Sequence, residues 1–512
     1  MPGVVISTAV RTGPSSATVR ESSQLFVVGL AERGPVGEAV LVQSLAEFEN
    51  VFGGFIAHSY LHSTVETFFE EGGTQAYISR VAGAAATTGT LALLNEDDDE
   101  LLVLDANGPG AWSANIKATV TNPTVSTFAV IISYNNEPVY NTGVVSTVAQ
   151  AVGRINLSPI ASRYVVAELG ADVGVAGVSQ LPAVLAATVL STGGEDLAGV
   201  DDAVLASGLD VFNDSLGAGA VSIPDGETAT RVTAGGGPAT DYDGTLKADF
   251  DISDALVTHA NANNRIAILH CGVADTADFA IDKSDDLKLL ENLEHAALYF
   301  PWITVPTSTA GLTRRIPPDG YVAAKRALAH NQGGAHVPAA GSISSARFVS
   351  GIALDVNKTV GDLLDSENVN AIRIIQNSVR VYGARSLSID TENFRHITTQ
   401  EIINHIVVES QRSLEDLIFG VIDGRDTIFS AITSRLIAIL APLREQGALF
   451  QAFDANGKKI DNGYTVRCDS YLNPVSQLAG GTVKAKVGVR TSGVGDKIEV
   501  DIIKSNLTAS VV

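Results

Sequence analysis

Few residue patterns in this sequence are typical of a catalytic or ligand-binding site. The sequence contains no G-x-x-x-x-G-K-[ST] phosphate loop, no G-x-G-x-x-G dinucleotide motif, no H-E-x-x-H, no C-x-x-C and no G-x-S-x-G. Each of these motifs places a nucleophile, a metal ligand or a phosphate-binding backbone at a fixed spacing. The enzymes that depend on these motifs are therefore disfavoured.

His270 and Cys271 are the first candidates for chemistry, because an adjacent imidazole can activate a thiol nucleophile. They follow a predicted strand, and neighbouring residues of a strand point to opposite faces of its sheet. The two side chains should therefore diverge. We expect a buried cysteine and a hydrogen-bonded histidine rather than a catalytic pair.

Two further groups of polar residues suggest binding. His330 and His336 lie six positions apart without a nearby cysteine or third histidine, so we expect loop histidines rather than a zinc site. Arg314 and Arg315 are suited to holding an anion, and equally to a solvated pair or an inter-subunit salt bridge. We predict no catalytic residue, no metal site and no cofactor.

Composition narrows the function classes further. The chain has 512 residues, with 34 Lys and Arg against 57 Asp and Glu, and a formal net charge of −23. Such an excess of acid disfavours a general binder of nucleic acid or anionic membranes. The only cysteines, Cys271 and Cys468, exclude a disulfide framework and favour a reducing compartment.

The acidic excess is concentrated in one internal block. Residues 86–251 carry 5 basic and 21 acidic side chains, a net charge of −16. Short β-branched runs at 116–120, 128–133 and 164–166, separated by turn residues, predict a largely β insertion. The acidic run 96–100 lacks the ligand spacing of a calcium loop, so we expect a solvated loop.

The segments around this block alternate between strand and helix patterns. Residues 24–29 and 76–81 read as strands, with a helix over 60–70 between them. Farther on, strands are predicted at 265–269 and 302–305, with a helix over 284–298. One sheet covered by helices is the expected arrangement.

Two helices are predicted after residue 395. Thr398 and Glu401 fit a capping box for the first, which should end at Gly420, and the second should run from 427 to 446. The longest apolar run, 436–443, is too short to span a membrane, and the N-terminus lacks the pattern of a signal peptide. We therefore expect a soluble protein.

Both termini read as strands. A β-branched segment, 4–10, precedes the turn residues 11–14, and alternating residues over 483–489 and 498–502 predict a strand pair. Terminal strands can pair with another chain or within their own subunit, and the pattern alone favours the second possibility.

Several short segments, taken in series, resemble contractile phage tail sheath proteins. They are Arg33-Gly34-Pro35, Val51-Phe52-Gly53, Phe68-Phe69, Gly72-Gly73, Ala76-Tyr77, Arg80-Val81, Tyr299-Phe300-Pro301-Trp302, Pro317-Pro318-Asp319-Gly320, Pro338-Ala339-Ala340, Val369-Asn370-Ala371-Ile372-Arg373, Arg380-Val381-Tyr382-Gly383-Ala384-Arg385-Ser386-Leu387, Gly447-Ala448-Leu449-Phe450, Val466-Arg467-Cys468-Asp469 and Asn473-Pro474. The family usually has Trp at the position of Tyr382, Thr at Ser386 and an Arg pair at Arg395-His396. These departures indicate a remote branch.

The resemblance implies a multidomain α+β and α/β fold. Expected are an N-terminal arm (1–22), a core with mixed sheets and helices that begins at 23–85, an outward-facing and largely β insertion (86–251), a middle α/β domain (252–395), a C-terminal domain (396–490) and a C-terminal arm (491–512). The middle domain is called subtilisin-like as a fold label. The sequence lacks the segments of that protease triad.

The implied function is structural rather than enzymatic. Sheath subunits form a helical polymer of stacked rings around a tail tube, contact baseplate and tail terminator proteins, and contract from a metastable extended state to drive the tube through a bacterial envelope. Neither nucleic acid nor membrane is an expected direct partner. The expected location is the virion tail, assembled in the host cytoplasm.

The resemblance favours the opposite arrangement for the termini, in which they pair with another chain. Family members add the strands of their terminal arms to the sheets of neighbouring subunits. The implied inter-subunit strands contain Val4, Ile6, Val10, Ile498, Val500 and Ile502, and the implied hinges are Gly13, Pro14, Gly493 and Gly495. Candidate tube contacts are Arg435, Arg444, Lys458 and Lys459, although a solvated helix face fits these as well. The alternatives are the sheath of a non-phage contractile injection system and, from another class, an α/β hydrolase.

Overall fold

The structure is a computed structural model that describes residues 21–194, 200–226, 251–307, 311–422 and 426–496. The strands are β1 (Gln24–Gly29), β2 (Val40–Val42), β3 (Ala76–Arg80), β4 (Thr90–Leu94), β5 (Glu100–Ala106), β6 (Ile116–Thr124), β7 (Thr127–Tyr134), β8 (Glu137–Asn141), β9 (Val165–Leu169), β10 (Leu185–Val189), β11 (Gly219–Ser222), β12 (Ile266–His270), β13 (Ala296–Phe300), β14 (Ile303–Pro306), β15 (Thr313–Ile316), β16 (Gly351–Ile352), β17 (Val369–Ile375), β18 (Ser378–Val381), β19 (Tyr464–Arg467) and β20 (Lys486–Val489). The helices are α1 (Leu45–Phe52), α2 (Leu61–Glu70), α3 (Val148–Asn156), α4 (Asp202–Ser207), α5 (Asp251–Ala262), α6 (Ala277–Leu287), α7 (Asp319–Gln332), α8 (Lys358–Ser366), α9 (Ile397–Leu414), α10 (Thr427–Glu445) and α11 (Val475–Leu478).

An eight-stranded sheet organises the body, in the order β18-β17-β13-β12-β11-β1-β3-β2. Its six inner strands are parallel, and the edge strands β2 and β18 run antiparallel to their neighbours. A parallel sheet is covered on both faces, so its strands are continuous apolar runs. Alternate residues of β1 accordingly enter opposite cores, Leu25 on one face and Phe26 on the other.

The predicted strands at 24–29, 76–81, 265–269 and 302–305 are confirmed, as is the helix at 60–70. The predicted C-terminal boundary of the insertion, residue 251, lies too far along the chain. Strand β11 falls inside the range 86–251 but pairs with β1 and β12 of the main sheet. All four residues of β11 are buried, yet its Gly-Ala-Val-Ser sequence carries little apolar signal.

The predicted helix over 284–298 is wrong. Helix α6 ends at Leu287, and Asn292 adopts a left-handed conformation with φ of 59° that interrupts any helix. The apolar residues that follow form strand β13, which is buried along its whole length. Periodicity alone does not separate a short buried strand from a buried helix.

Residues 90–189 form two antiparallel sheets with a core of their own. One sheet has the order β10-β6-β7-β8 and the other β4-β5-β9, and the predicted strands at 116–120, 128–133 and 164–166 are confirmed within them, the last as β9. Arg33, which follows β1, contacts this two-sheet unit through cation–π interactions. Its guanidinium lies 5.0 Å from the ring centroid of Tyr134 and 4.6 Å from that of Tyr164.

The C-terminal region contains α9, α10 and the two-stranded sheet β19-β20. Both predicted helices are present, but the first ends at Leu414 rather than at Gly420. The capping box is wrong because α9 begins at Ile397 and Glu401 instead contacts α7. The strand predicted at 483–489 is present as β20, and it pairs with β19. Its predicted partner at 498–502 lies outside the described residues.

Helix α10 is long and apolar enough to cross a membrane by length and composition, with a mean hydropathy of 1.3. Core helices of soluble proteins meet the same criterion. Here Ile432, Leu436 and Leu440 are buried, and α10 packs on α9 and β19. Only 28% of the apolar window is buried, so α10 packs through one face and leaves apolar surface exposed among the described residues.

Candidate functional site

The crevice at the carboxyl ends of β1 and β11 is where doubly wound sheets commonly bind ligands, because the strand order reverses there. In this protein the side chain of Asp225 occupies it. The carboxylate accepts hydrogen bonds from the backbone N–H groups of Leu30 (2.9 Å) and Tyr60 (2.5 Å) and from the hydroxyl of Ser59 (2.7 Å). Burial raises the pKa of Asp225.

Asp225 occupies the position at which related folds bind a phosphate group. Tyr60 precedes helix α2, so the carboxylate takes the helix N-terminus at which such folds place a phosphate. Gly29 is also closely approached, since a Cβ at this position would lie 2.8 Å from Asp225 Oδ2. The chain's own acid therefore fills the location where a nucleotide would bind.

His270 and Cys271 do not form a catalytic pair. His270 Nδ1 lies 3.0 Å from Asp319 Oδ1 and Nε2 lies 2.9 Å from the carbonyl oxygen of Gly226, while Cys271 is buried and lies in the core on one face of the main sheet. Burial is the largest single influence and lowers the pKa of His270, but Asp319, the carbonyl oxygen of Gly226 and Asp275 together raise the pKa above its ordinary value. The expectation of a buried thiol and a hydrogen-bonded histidine is confirmed.

His330 and Arg314 differ from their predicted settings. His330 is not a loop residue, because it lies in α7, is fully buried and has its Nε2 3.0 Å from Glu401 Oε2. Arg314 donates to the carbonyl oxygens of Ala57 (3.0 Å) and Ser59 (2.9 Å) in its own subunit, whereas Arg315 is exposed. The inter-subunit salt bridge and the anion contact stay predictions. Within the described ranges, no group of three or more His, Cys, Asp or Glu side chains is arranged to hold a metal ion.

Buried charges between the elements were missed by sequence reasoning. Glu71 and Lys325 are both 0% exposed and their charged atoms lie 2.6 Å apart. The Glu71 carboxylate also accepts hydrogen bonds from the backbone N–H groups of Arg347, Phe348 and Val349. Glu71 ends a predicted helix just before two glycines, a position that normally indicates an exposed acid.

The four candidate tube contacts differ in whether their side chains already have partners within the subunit. Arg435 donates to the carbonyl oxygen of Ser413 within its own subunit. Arg444 lies 3.3 Å from Asn462 Oδ1 and also contacts its neighbour Glu445. In contrast, Lys458 and Lys459 are exposed on a turn before β19.

These lysines belong to a region rich in exposed apolar side chains. Its buried core consists of Ile402, Ile406, Leu440, Leu443, Ala448 and Leu449. Large apolar side chains lie at the surface around it, namely Ile418, Phe419, Val421, Phe450, Phe453, Ile460, Tyr471 and Val475. Phe419 is fully exposed, with φ of 66°. Such a surface is typical of a protein–protein contact.

The predicted hinges and arms are only partly described. Gly493 and Gly495 lie in an exposed segment without regular secondary structure after β20, and a Cβ at either position would meet nothing within 4 Å. Gly13 and Pro14 lie outside the described residues, as do the arm positions Val4, Ile6, Val10, Ile498, Val500 and Ile502. These assignments stay predictions.

The mixed α/β fold with several sheets is shared by solved structures of sheath proteins. The sheath tail protein Lin1278 from Listeria innocua matches with a TM-score of 0.57 and 16% identity, covering 89% of this chain and 90% of its own. The helical sheath of the anti-feeding prophage in its contracted state matches with a TM-score of 0.55 and 13% identity, covering 98% and 99%. The contracted sheath complex of the extracellular contractile injection system PVC matches with a TM-score of 0.50 and 15% identity, covering 99% and 98%.

These likenesses show that the chain has the fold of sheath tail proteins from phage and contractile injection systems, as the sequence resemblance predicts. They extend over nearly the whole chain. No family model matches the sequence, and no curated protein matches it.

Proposed function

We propose that this chain is the structural subunit of a contractile tail sheath, which polymerises around a tail tube and contracts to drive the tube through an envelope. The observation that carries the proposal is the structural likeness to contracted helical sheaths over 98–99% of the chain. A hydrolase is not supported, and the carboxylate of Asp225 in the ligand crevice is consistent with a protein that performs no catalysis.

The C-terminal region is the proposed assembly surface. Sheet β19-β20 has only two strands among the described residues, and a two-stranded sheet is marginally stable alone. Added strands would satisfy its free backbone groups. We propose that the arms at 4–10 and 498–502 of neighbouring subunits supply them, with hinges at Gly13-Pro14 and Gly493–Gly495.

A non-closing contact between copies of one chain generates an open helical polymer, which is the geometry a sheath needs. Contraction then requires two packings of that polymer, with the extended one metastable. No nucleotide motif occurs in the sequence, so the energy would be stored during assembly.

The insertion would form the outer surface and the C-terminal region would face the tube. The two-sheet unit at residues 90–189 carries 9 acidic and 3 basic side chains, a net charge of −6, and an acidic exterior would keep assembled tubes soluble and apart. Lys458 and Lys459 are the stronger proposed tube contacts, since Arg435 and Arg444 already have partners within the subunit. Baseplate and tail terminator proteins are proposed as further partners, and the tail as the location.

A contractile injection system without a phage genome is the second candidate. Its support is that the sheath of the contractile injection system PVC covers 99% of this chain, against 89% for the Listeria sheath tail protein. In both candidates the subunit would polymerise around a tube and contract in the same way, so the genes beside it distinguish them. Neighbouring genes for capsid and genome packaging would indicate a virion, and their absence beside tube and baseplate genes would indicate an injection system.

Sedimentation velocity combined with ester and peptide probes tests the proposal against the hydrolase. A sheath subunit should sediment as large, heterogeneous polymers and leave both probes intact. A small discrete oligomer that turns over either probe would refute it.

A further inference from the structure

Side chains that lie beside the first turns of α9 hold both ends of the described chain. At the N-terminal end, the carbonyl oxygen of Ser22 accepts a hydrogen bond from Arg326 Nη1, and Arg326 Nε donates to Glu401 Oε1. Arg326 and Glu401 are 6% and 4% exposed. Two charge-assisted hydrogen bonds therefore join the backbone at residue 22 to the second turn of α9.

At the other end, Asp496 is held beside the start of the same helix. Its carboxylate lies 2.8 Å from His396 Nε2, 3.2 Å from Arg385 Nη1 and 3.5 Å from Arg395 Nη2. His396 directly precedes α9. Arg385 is itself held by Asp365 of α8, with Nε 2.8 Å from the carboxylate.

The two attachment points are close along the helix. His396 and Glu401 are five residues apart, which corresponds to about 7.5 Å of helix rise. The first turns of α9 are buried at Ile397, Glu401 and Ile402, so they form a stiff connection. A displacement of either chain end therefore acts on the same short piece of helix.

We propose that the start of α9 is a junction that couples the segment before Glu21 to the segment after Asp496. Each segment leaves the body at one exit, the N-terminal exit near Ser22 and the C-terminal exit at Asp496. Weakening the contacts at one exit would then weaken the contacts at the other. In the proposed sheath, to which this inference adds, a load arriving through one terminal arm would pass to the other through α9.

Hydrogen exchange of the purified full-length chain, followed by mass spectrometry, tests the junction. Asp496→Asn removes the charge that holds the C-terminal exit, and we expect exchange to quicken about tenfold in peptides covering 491–496, 397–404 and also 21–24. The matched control is Asp461→Asn, which removes another Asp–Arg pair of the same region, with Arg490 at 3.1 Å. The control should leave 21–24 unchanged.

Quickened exchange confined to residues around 496, with 21–24 at the wild-type rate, would overturn the junction. Arg395→Gln provides a second variant, because this side chain is 54% exposed and its loss does not uncover a buried charge. It should give a smaller change in the same three peptides. No change at 21–24 in either variant refutes the proposal.

Neither measurement requires polymerisation. A chain that forms no tubes but shows coupled exchange would retain the junction and lose the sheath proposal. A chain that forms tubes but shows no coupled exchange would retain the sheath proposal and lose the junction.

Discussion

At the scale of single residues, buried charges hold the body together. Glu71 lies at the end of α2, Lys325 lies in α7, and the ion pair between them is closed to solvent. Burial lowers the pKa of Lys325. Removing one member of such a pair leaves the other charge without compensation, which costs more than the pair itself contributes to stability.

Glu71→Gln should therefore destabilise the protein strongly. The substitution keeps the shape of the side chain but removes its charge, and we expect a loss of about 3–5 kcal/mol in the free energy of unfolding. Urea denaturation followed by circular dichroism measures it. The control Lys288→Gln disrupts the more exposed contact with Asp285 and should cost less than about 1 kcal/mol. Equal losses in the two variants would contradict the buried-pair account.

His259 gives the molecule a pH-dependent stability. Burial, with Arg265 nearby, lowers its pKa to about 4, and its Nε2 lies 2.8 Å from Arg265 Nη1 as the acceptor. The unfolded chain has the ordinary value of about 6.5 and so takes up the proton first as the pH falls. The contribution of His259 is complete above about pH 6.5 and is lost between there and about pH 4.

His259→Gln keeps a hydrogen-bond acceptor but cannot be protonated. The fall in urea midpoint between pH 7 and about pH 4.5 should be smaller in this variant than in the wild type. Titration of the carboxylates is common to both proteins and cancels in the comparison. An identical fall in both would contradict the assigned shift.

At the scale of elements, sequence patterns identify most of the strands and helices and miss their partners. Continuous apolar runs identify β1, β3 and β12 because a parallel sheet buries both faces. They misassign β13, which a left-handed Asn292 separates from α6, and miss β11, which has almost no apolar signal.

Interactions between distant residues explain the errors at the candidate sites. Glu401 fits a capping box by its spacing from Thr398, whereas in the fold it faces Arg326 and His330 of α7. Asp225 and Glu71 likewise gain their roles from residues more than 150 positions away. Local spacing carries no information on such pairings.

Deleting residues 2–10, or residues 497–512, should leave a folded monomer that cannot polymerise. The buried core residues of the described chain run from Leu25 to Leu449, and each deleted segment supplies a predicted inter-subunit strand. Circular dichroism checks the fold and electron microscopy the assembly. Normal sheaths from either truncation would refute the arm assignment.

Reversing both exposed lysines, Lys458→Glu with Lys459→Glu, should weaken binding to the tube. Electrostatic contacts are screened by salt, so the loss in cosedimentation should be largest at low ionic strength. The matched control is Arg444→Glu, at a side chain that is 21% exposed and already contacts Glu445. Unchanged cosedimentation of the lysine variant at low salt would remove these residues from the tube contact.

At the scale of the whole molecule, net charge is distributed unevenly while exposed apolar side chains are not. The acidic excess of −16 lies in residues 86–251, whereas residues 396–512 carry 12 basic and 13 acidic side chains. Large apolar side chains are exposed in both regions, for example Val125 and Leu157 in the first and Phe419 and Val421 in the second. Charge repulsion between copies is therefore weaker at the C-terminal region, which favours that region for contacts with further protein.

Negative-stain electron microscopy of the purified full-length chain tests the central claim most directly. A sheath subunit should form long tubes of stacked rings with one helical repeat, because its contacts with neighbouring copies do not close. Monodisperse particles of the size of a single subunit or a small closed oligomer, at every protein concentration and in the presence of a tail tube, would contradict it.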